Sequence, residues 1–138
     1  LGASVTPLTT ISATSSQSNG SSQYQRAKHH SIFVLTGVTQ ADNTSSAPTN
    51  ASTNVFSNSA TTATGRGIAL HVISSCTTAT RTISSVSPDF TALAVTAAGC
   101  SQYSARKVID SGSGGTVTST ITLSGTLGRV ADIIATFK

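Results

Sequence analysis

The side chains that could carry acid–base, nucleophilic or metal chemistry are few in this sequence. Its 138 residues include three histidines, two cysteines and four acidic residues, and glutamate does not occur. The acids are Asp42, Asp89, Asp110 and Asp132. General acid–base catalysis and oxygen-ligand metal sites both draw heavily on carboxylates. The sequence therefore predicts a protein that is not an enzyme and has no cofactor.

The histidines and cysteines do not form a metal-ligand pattern. His29 and His30 are adjacent, and neighbouring side chains of a strand point to opposite faces, so these two do not readily share an ion. His71 lies inside an apolar segment, where we predict a solvated or hydrogen-bonded strand histidine rather than a ligand. Cys76 and Cys100 lack the C-x-x-C spacing of zinc knuckles and redox motifs. No metal site is predicted.

The run Asp110, Ser111 and Gly112 resembles the nucleophile segment of chymotrypsin-like serine proteases. Ile109 stands where that motif has glycine, and Ser113 interrupts the glycine pair that follows. The chain is also too short for the two barrels that position the catalytic histidine of those enzymes. We therefore interpret this segment as a hairpin turn.

Cysteine usage and sequons favour an oxidising, extracellular setting. We predict one disulfide between Cys76 and Cys100, in preference to two buried free thiols, and such a loop stabilises a fold by about 3 to 4 kcal/mol. The sequence begins at Leu1, so we expect that a leader has been removed. The candidate glycosylation sites are the sequons at Asn19, Asn43 and Asn50.

The composition favours strands over helices. Hydrophobic residues make up 37% of the chain, Met is absent, and there are 24 Ser and 24 Thr. β-branched side chains are stiff about χ1 and suit a pleated strand. Seven segments have strand-like patterns: residues 29–40, 67–74, 81–86, 90–96, 106–109, 116–125 and 130–137. We predict an all-β fold, an immunoglobulin-like or jelly-roll β-sandwich.

Two details of this sandwich can be predicted further. Residues 41–64 have a low-complexity composition typical of a loop, with only Val55 and Phe56 available to pin it to the core. Three of the strand segments alternate strongly, with period two. The residues that share a face in these segments are Ile68, Leu70 and Val72; Val117, Ile121 and Leu123; and Ala131, Ile133, Ala135 and Phe137.

The N-terminal residues 1–14 also alternate, with apolar side chains on one edge and mostly hydroxyls on the other. A polar linker at residues 15–23 separates them from the domain at residues 24–138. A detached strand is stable only when it is added to a sheet edge, in its own molecule or in a neighbour. The predicted donor-strand residues are Ala3, Val5, Leu8, Ile11 and Ala13.

The C-terminal segment resembles the last strand of chaperone-usher pilins. Those subunits carry a glycine about fourteen residues from the C-terminus and a penultimate aromatic, and Gly125 and Phe137 occupy these places here. The resemblance implies an incomplete immunoglobulin-like sandwich that is completed by the N-terminal extension of the next subunit. Val5 and Ile11 match such an extension.

The sequence therefore predicts the subunit of an extracellular filament that polymerises with itself by strand insertion. Two alternatives stay open: a monomeric cell-surface or carbohydrate-binding module, and a small viral coat protein. The net charge is +4, but only Arg26 and Lys28 form a basic cluster, so nucleic acid is an unfavoured partner. Glycans are a further candidate partner. No apolar stretch approaches the length of a membrane span.

Overall fold

The computed structural model describes residues 41–46, 52–62, 66–75, 80–93, 95–98, 100–110, 114–128 and 130–138. All regular elements within these residues are β-strands, which confirms the predicted all-β class. The described part has no long apolar helix of the kind that crosses a membrane. The predicted donor strand at residues 1–14, the linker at 15–23 and the strand at 29–40 lie outside the described residues.

Nine strands are described, and all of their pairings are antiparallel. They are β1 (Ala41–Ser46), β2 (Thr53–Thr62), β3 (Gly67–Ser75), β4 (Ile83–Val86), β5 (Thr91–Ala92), β6 (Thr96–Ala98), β7 (Cys100–Ile109), β8 (Gly115–Leu127) and β9 (Val130–Phe137).

The strands form two sheets. The larger sheet has the order β1-β9-β3-β7-β5, and β6 pairs with the other half of β7. The smaller sheet has the order β2-β8-β4. Residues from both sheets contribute to one hydrophobic core, as expected for a β-sandwich. The largest buried apolar side chains of this core are Phe56, Ile73, Phe90, Tyr103, Ile121, Leu123, Leu127 and Ile134.

Strand β8 follows its predicted pattern. Ile121 and Leu123 are buried, Val117 packs at the edge of the core, and the intervening threonines are on the other face. On that outer face hydroxyls pair across the strands: Ser57 Oγ lies 3.0 Å from Thr120 Oγ1, and Ser59 Oγ lies 2.8 Å from Thr118 Oγ1. The abundant Ser and Thr residues therefore form cross-strand pairs on the surface.

The expectation of a loop at residues 41–64 is wrong for its described part, which contains β1 and β2. Polar composition hid the alternation of β2, whose inward positions carry Phe56, Asn58 and Ala60. Phe56 does pin the segment, since it is only 2% exposed, whereas Val55 is 49% exposed and does not. An inward asparagine is invisible to a search for apolar periodicity.

The alternating residues of β3 and β9 lie on the face opposite to the core. In β3 the core side carries Ala69, His71 and Ile73, while Ile68, Leu70 and Val72 are on the other face, where Leu70 is nevertheless buried. In β9 the inward set is Val130, Asp132, Ile134 and Thr136, and the outward set is Ala131, Ile133, Ala135 and Phe137. Gly125 lies in β8, and the last strand begins after it, at Val130.

The predicted strands at residues 81–86 and 90–96 correspond to β4 and β5, and the turn between them is present. The backbone N–H of Phe90 donates to the carbonyl of Ser87 at 2.8 Å, which closes this turn. Strand β7 is longer than the predicted segment 106–109, because it begins at Cys100. Its first six residues are all buried although half of them are polar.

The adjacent pair Val55 and Phe56 provides a test of this register. We expect Phe56→Ala to lower the free energy of unfolding by about 3 to 5 kcal/mol, because it leaves a cavity between the sheets. Val55→Ala should change it by about 0.5 kcal/mol or less, because Val55 is on the surface. Urea denaturation measures both, and a larger loss from Val55→Ala than from Phe56→Ala would mean that the strand has the opposite orientation.

Candidate functional site

A histidine in the centre of the sandwich connects the two sheets. His71 is on the inward face of β3, and its Nε2 lies 2.8 Å from Oδ1 of Asp132 on the neighbouring strand β9. Its Nδ1 lies 2.9 Å from Oγ of Ser119, which belongs to β8 in the opposite sheet. A serine, a histidine and an aspartate are thus joined in a row.

An asparagine from the smaller sheet completes this group. Asn58 is directly opposite Ser119 in the β2–β8 register, and its Nδ2 donates to Asp132 Oδ1 at 3.1 Å. Its Oδ1 accepts the backbone N–H of Ser59 at 2.8 Å and the hydroxyl of Ser45 at 3.1 Å. We call Ser45, Asn58, His71, Ser119 and Asp132 the core polar cluster.

Four members of the core polar cluster are shielded from water, and Ser45 is half-buried. His71 and Ser119 have no exposed surface, Asp132 is 3% exposed, and Asn58 is 7% exposed. A buried polar group costs free energy unless it finds a hydrogen-bond partner. With Asp132 ionised and accepting from Nε2, Nδ1 of a neutral His71 is left to accept the Ser119 hydroxyl. Both ring nitrogens are then satisfied within the protein.

The row of side chains has the composition of a nucleophilic site. A histidine that is hydrogen-bonded to a serine hydroxyl can take its proton, and a carboxylate on the other nitrogen orients the ring. A substrate from solution does not reach Ser119, however, because both Ser119 and His71 are fully enclosed. The arrangement can activate Ser119 only toward a group that is already inside the sandwich.

The sequence indicated part of this site. His71 was expected to be solvated or hydrogen-bonded, and the structure has the hydrogen-bonded form. Ser119 and Asn58 were missed. The signal that could have found them is a polar residue at an inward position of an alternating strand, as Ser119 is between Val117 and Ile121. Asp132 is the corresponding residue of β9.

The other predicted site residues are dispersed or lie outside the described part of the chain. Asn43 is exposed on the edge strand β1, which leaves this sequon accessible. Cys100 is buried and disulfide-bonded. The remaining predicted site residues lie outside the described part of the chain: Asn19, His29, His30, Asn50, Cys76, Ser111 and the donor-strand residues Ala3, Val5, Leu8, Ile11 and Ala13.

Within the described residues no three His, Cys, Asp or Glu side chains come together as a potential metal site. A small surface cavity of about 10 Å³ lies beside Arg66, Ile109 and Phe137, and it has room for about one water molecule. It is lined mainly by strand ends of the larger sheet, together with Thr62 at the end of β2, and it is not part of the core polar cluster. This cavity is therefore not treated as a second candidate site.

No protein-family model, curated protein or solved structure matches this chain.

Two aspartates test the importance of burial. Asp132→Ala removes the acceptor of both His71 Nε2 and Asn58 Nδ2, so we expect a loss of about 2 to 5 kcal/mol in the free energy of unfolding. Asp89→Ala breaks the surface pair with Lys107, whose Nζ lies 2.9 Å from Asp89 Oδ2, and should cost about 1 kcal/mol or less. Chemical denaturation of both variants is the measurement. Similar losses would show that the buried cluster has no special role in stability.

Proposed function

We propose that this protein is the structural subunit of an extracellular filament, in which residues 1–14 of one copy complete the sandwich of the next. The observation that carries the proposal is the unequal pairing of β8. This strand has 13 residues, and β2 pairs along most of it. On its other side β4 pairs only with residues from Ile121 to Leu123.

In the part of the chain that the structure describes, the first part of β8 therefore has a partner strand on one side only. Ser87 extends the β4 contact as far as Thr120, because its backbone N–H donates to the carbonyl of Thr120 at 2.9 Å. Among the described residues, positions 115–119 of β8 have a strand partner only in β2. Unpaired N–H and C=O groups along a strand favour the addition of another strand.

Residues 1–14 have the pattern that such a position requires. A strand added beside Val117 and Ser119 would extend the smaller sheet and present alternate side chains to the core. Burial of an apolar side chain such as Val5 or Ile11 contributes roughly 1.5 to 3 kcal/mol, and each ladder hydrogen bond adds about 0.5 to 1.5 kcal/mol. Several such contacts are sufficient to hold subunits together.

The contact between a donor strand and an acceptor sheet is heterologous. Repetition of a heterologous contact without ring closure gives a filament. The finer form of the fold belongs to the same proposal: an immunoglobulin-like sandwich that is complete only with the added strand. The disulfide-bonded Cys100 supports an oxidising, extracellular setting.

The carbohydrate-binding alternative has less support. Sugar-binding sites commonly stack the ring on an exposed aromatic side chain. In the described residues Phe56, Phe90 and Tyr103 are buried in the core, and Phe137 is half-buried. None of the described aromatic side chains is fully exposed.

Deletion of residues 1–14 tests the proposal. We expect the shortened protein to lose polymers and to remain as a folded monomer, because the acceptor sandwich keeps its own core. Negative-stain electron microscopy and size-exclusion chromatography measure the assembly, and circular dichroism measures the fold. Addition of a synthetic peptide of residues 1–14 should produce a one-to-one complex with the shortened protein. Polymerisation of the shortened protein would contradict the proposal.

A matched pair of charge substitutions tests which edge of the donor strand is buried. Ile11→Asp should abolish filaments, because it places a carboxylate on the apolar edge of the strand. Ser12→Asp introduces the same charge on the hydroxyl edge and should leave assembly intact. Both variants are compared with the unmodified chain by electron microscopy. Equal effects of the two substitutions would argue against a strand with one buried edge.

A further inference from the structure

In the core polar cluster, the carboxamide of Asn58 lies beside Ser119, whose hydroxyl is hydrogen-bonded to His71. Asn58 and Ser119 are opposite each other in the antiparallel pair β2–β8, and both side chains are on the inward face. Cβ atoms of such pairs are about 4.5 to 5.5 Å apart. The linkage Cβ–Cγ–Oγ–Cβ of an ester is shorter than this separation, so the reaction requires the two strands to move closer together at this pair.

We propose that Ser119 and Asn58 react with each other inside the folded protein and form an ester bond with release of ammonia. The new bond joins Ser119 Oγ to Asn58 Cγ, and the bond that breaks joins Cγ to Nδ2. No oxidant, reductant or second substrate is needed. The inference stands independently of filament assembly, because all of its participants belong to one chain.

The carbonyl of Asn58 is held in a polarised state. The backbone N–H of Ser59 and the hydroxyl of Ser45 both donate to Oδ1, at 2.8 and 3.1 Å. Two donors on a carbonyl oxygen stabilise the negative charge that develops when a nucleophile attacks its carbon, as in an oxyanion hole. Ser59 is the next residue of β2, and Ser45 is supplied by the edge strand β1, so the fold fixes both donors.

The proton of the serine has a defined route to the leaving nitrogen. His71 Nδ1 takes the proton from Ser119 Oγ, which lies 2.9 Å away. His71 Nε2 passes its own proton to Asp132 Oδ1 at 2.8 Å, and this oxygen is 3.1 Å from Asn58 Nδ2. Transfer of the proton to Nδ2 releases NH₃, and the imidazole is left neutral with its hydrogen on the other nitrogen. His71 and Asp132 act as catalytic residues in this step.

Burial favours the product. Water is the usual competitor in acyl transfer, and exclusion of water protects an ester once it has formed. Ser119 has no exposed surface and Asn58 is 7% exposed. The fold also holds the two groups side by side, which removes the entropic cost of bringing them together. The product is a covalent link between neighbouring strands of the smaller sheet.

Mass spectrometry of the intact, reduced full-length protein tests the proposal. We expect the main species to be lighter than the sequence mass by one NH₃. Digestion should give one branched peptide that contains both Asn58 and Ser119, and hydroxylamine should separate it into two because it cleaves esters. A protein with the full sequence mass and no branched peptide would overturn the proposal.

Variants identify the reacting groups. Ser119→Ala and Asn58→Ala should both keep the full mass expected for their sequences, and His71→Gln should slow the loss of ammonia by at least tenfold. Ser57→Ala is the matched control, because Ser57 is next to Asn58 on β2 but points to the outer face of the sheet. This variant should lose NH₃ like the unmodified chain.

One competing reaction needs separation. Asn58 precedes Ser59, and attack of the Ser59 backbone nitrogen on Asn58 would give a succinimide with the same loss of mass. Loss of NH₃ from Ser119→Ala would identify that reaction and overturn the proposal. The branched peptide of the unmodified chain decides between the two products even if a variant does not fold.

Discussion

The two nitrogens of one enclosed imidazole impose the strictest constraint on this structure. Neither nitrogen of His71 can reach water, so each must find a partner inside the sandwich. Asp132 meets one from the same sheet, and Ser119 meets the other from the opposite sheet. A shift of one residue in β8 or β9 would turn the partner to the other face and leave buried donors and acceptors unpaired. The core polar cluster therefore fixes the register of both sheets more sharply than apolar contacts alone.

Short polar side chains also pair with each other on the surface. A chain with 24 Ser and 24 Thr has few long side chains with which to build salt bridges, and it pairs short hydroxyls across strands instead. Such pairs lose little side-chain entropy when they are ordered. In the described residues β7 contributes polar side chains at several buried positions. Hydrogen bonds between short side chains therefore stabilise this fold both on its surface and in its interior.

This balance explains what could be predicted from the sequence. Strand β8 was predictable because its inward residues are mostly apolar and its outward residues are threonines. Strand β2 was not predictable, because its inward set includes Asn58. The bounds of β9 were predicted, but its inward face was not, because Asp132 and Thr136 point inward while Ile133 is 44% exposed. Hydropathy cannot distinguish a solvated polar side chain from one that is satisfied inside the core. The site itself was beyond reach, since His71 and Asp132 are 61 positions apart and meet only through the sheet order.

Strand β8 connects the two proposals physically. Its β2 side contains the residue pair that we propose to be linked, and on its β4 side residues 115–119 have no partner strand among the described residues, which is where we propose that a donor strand binds. In a filament of the proposed kind, a pulling force on the donor strand would act on β8 and pass to the hydrogen bonds between β8 and β2. A covalent bond between Asn58 and Ser119 would prevent β2 from separating while the opposite side stays open to exchange. Stability on one side of β8 and exchangeability on the other are therefore compatible within a single three-stranded sheet.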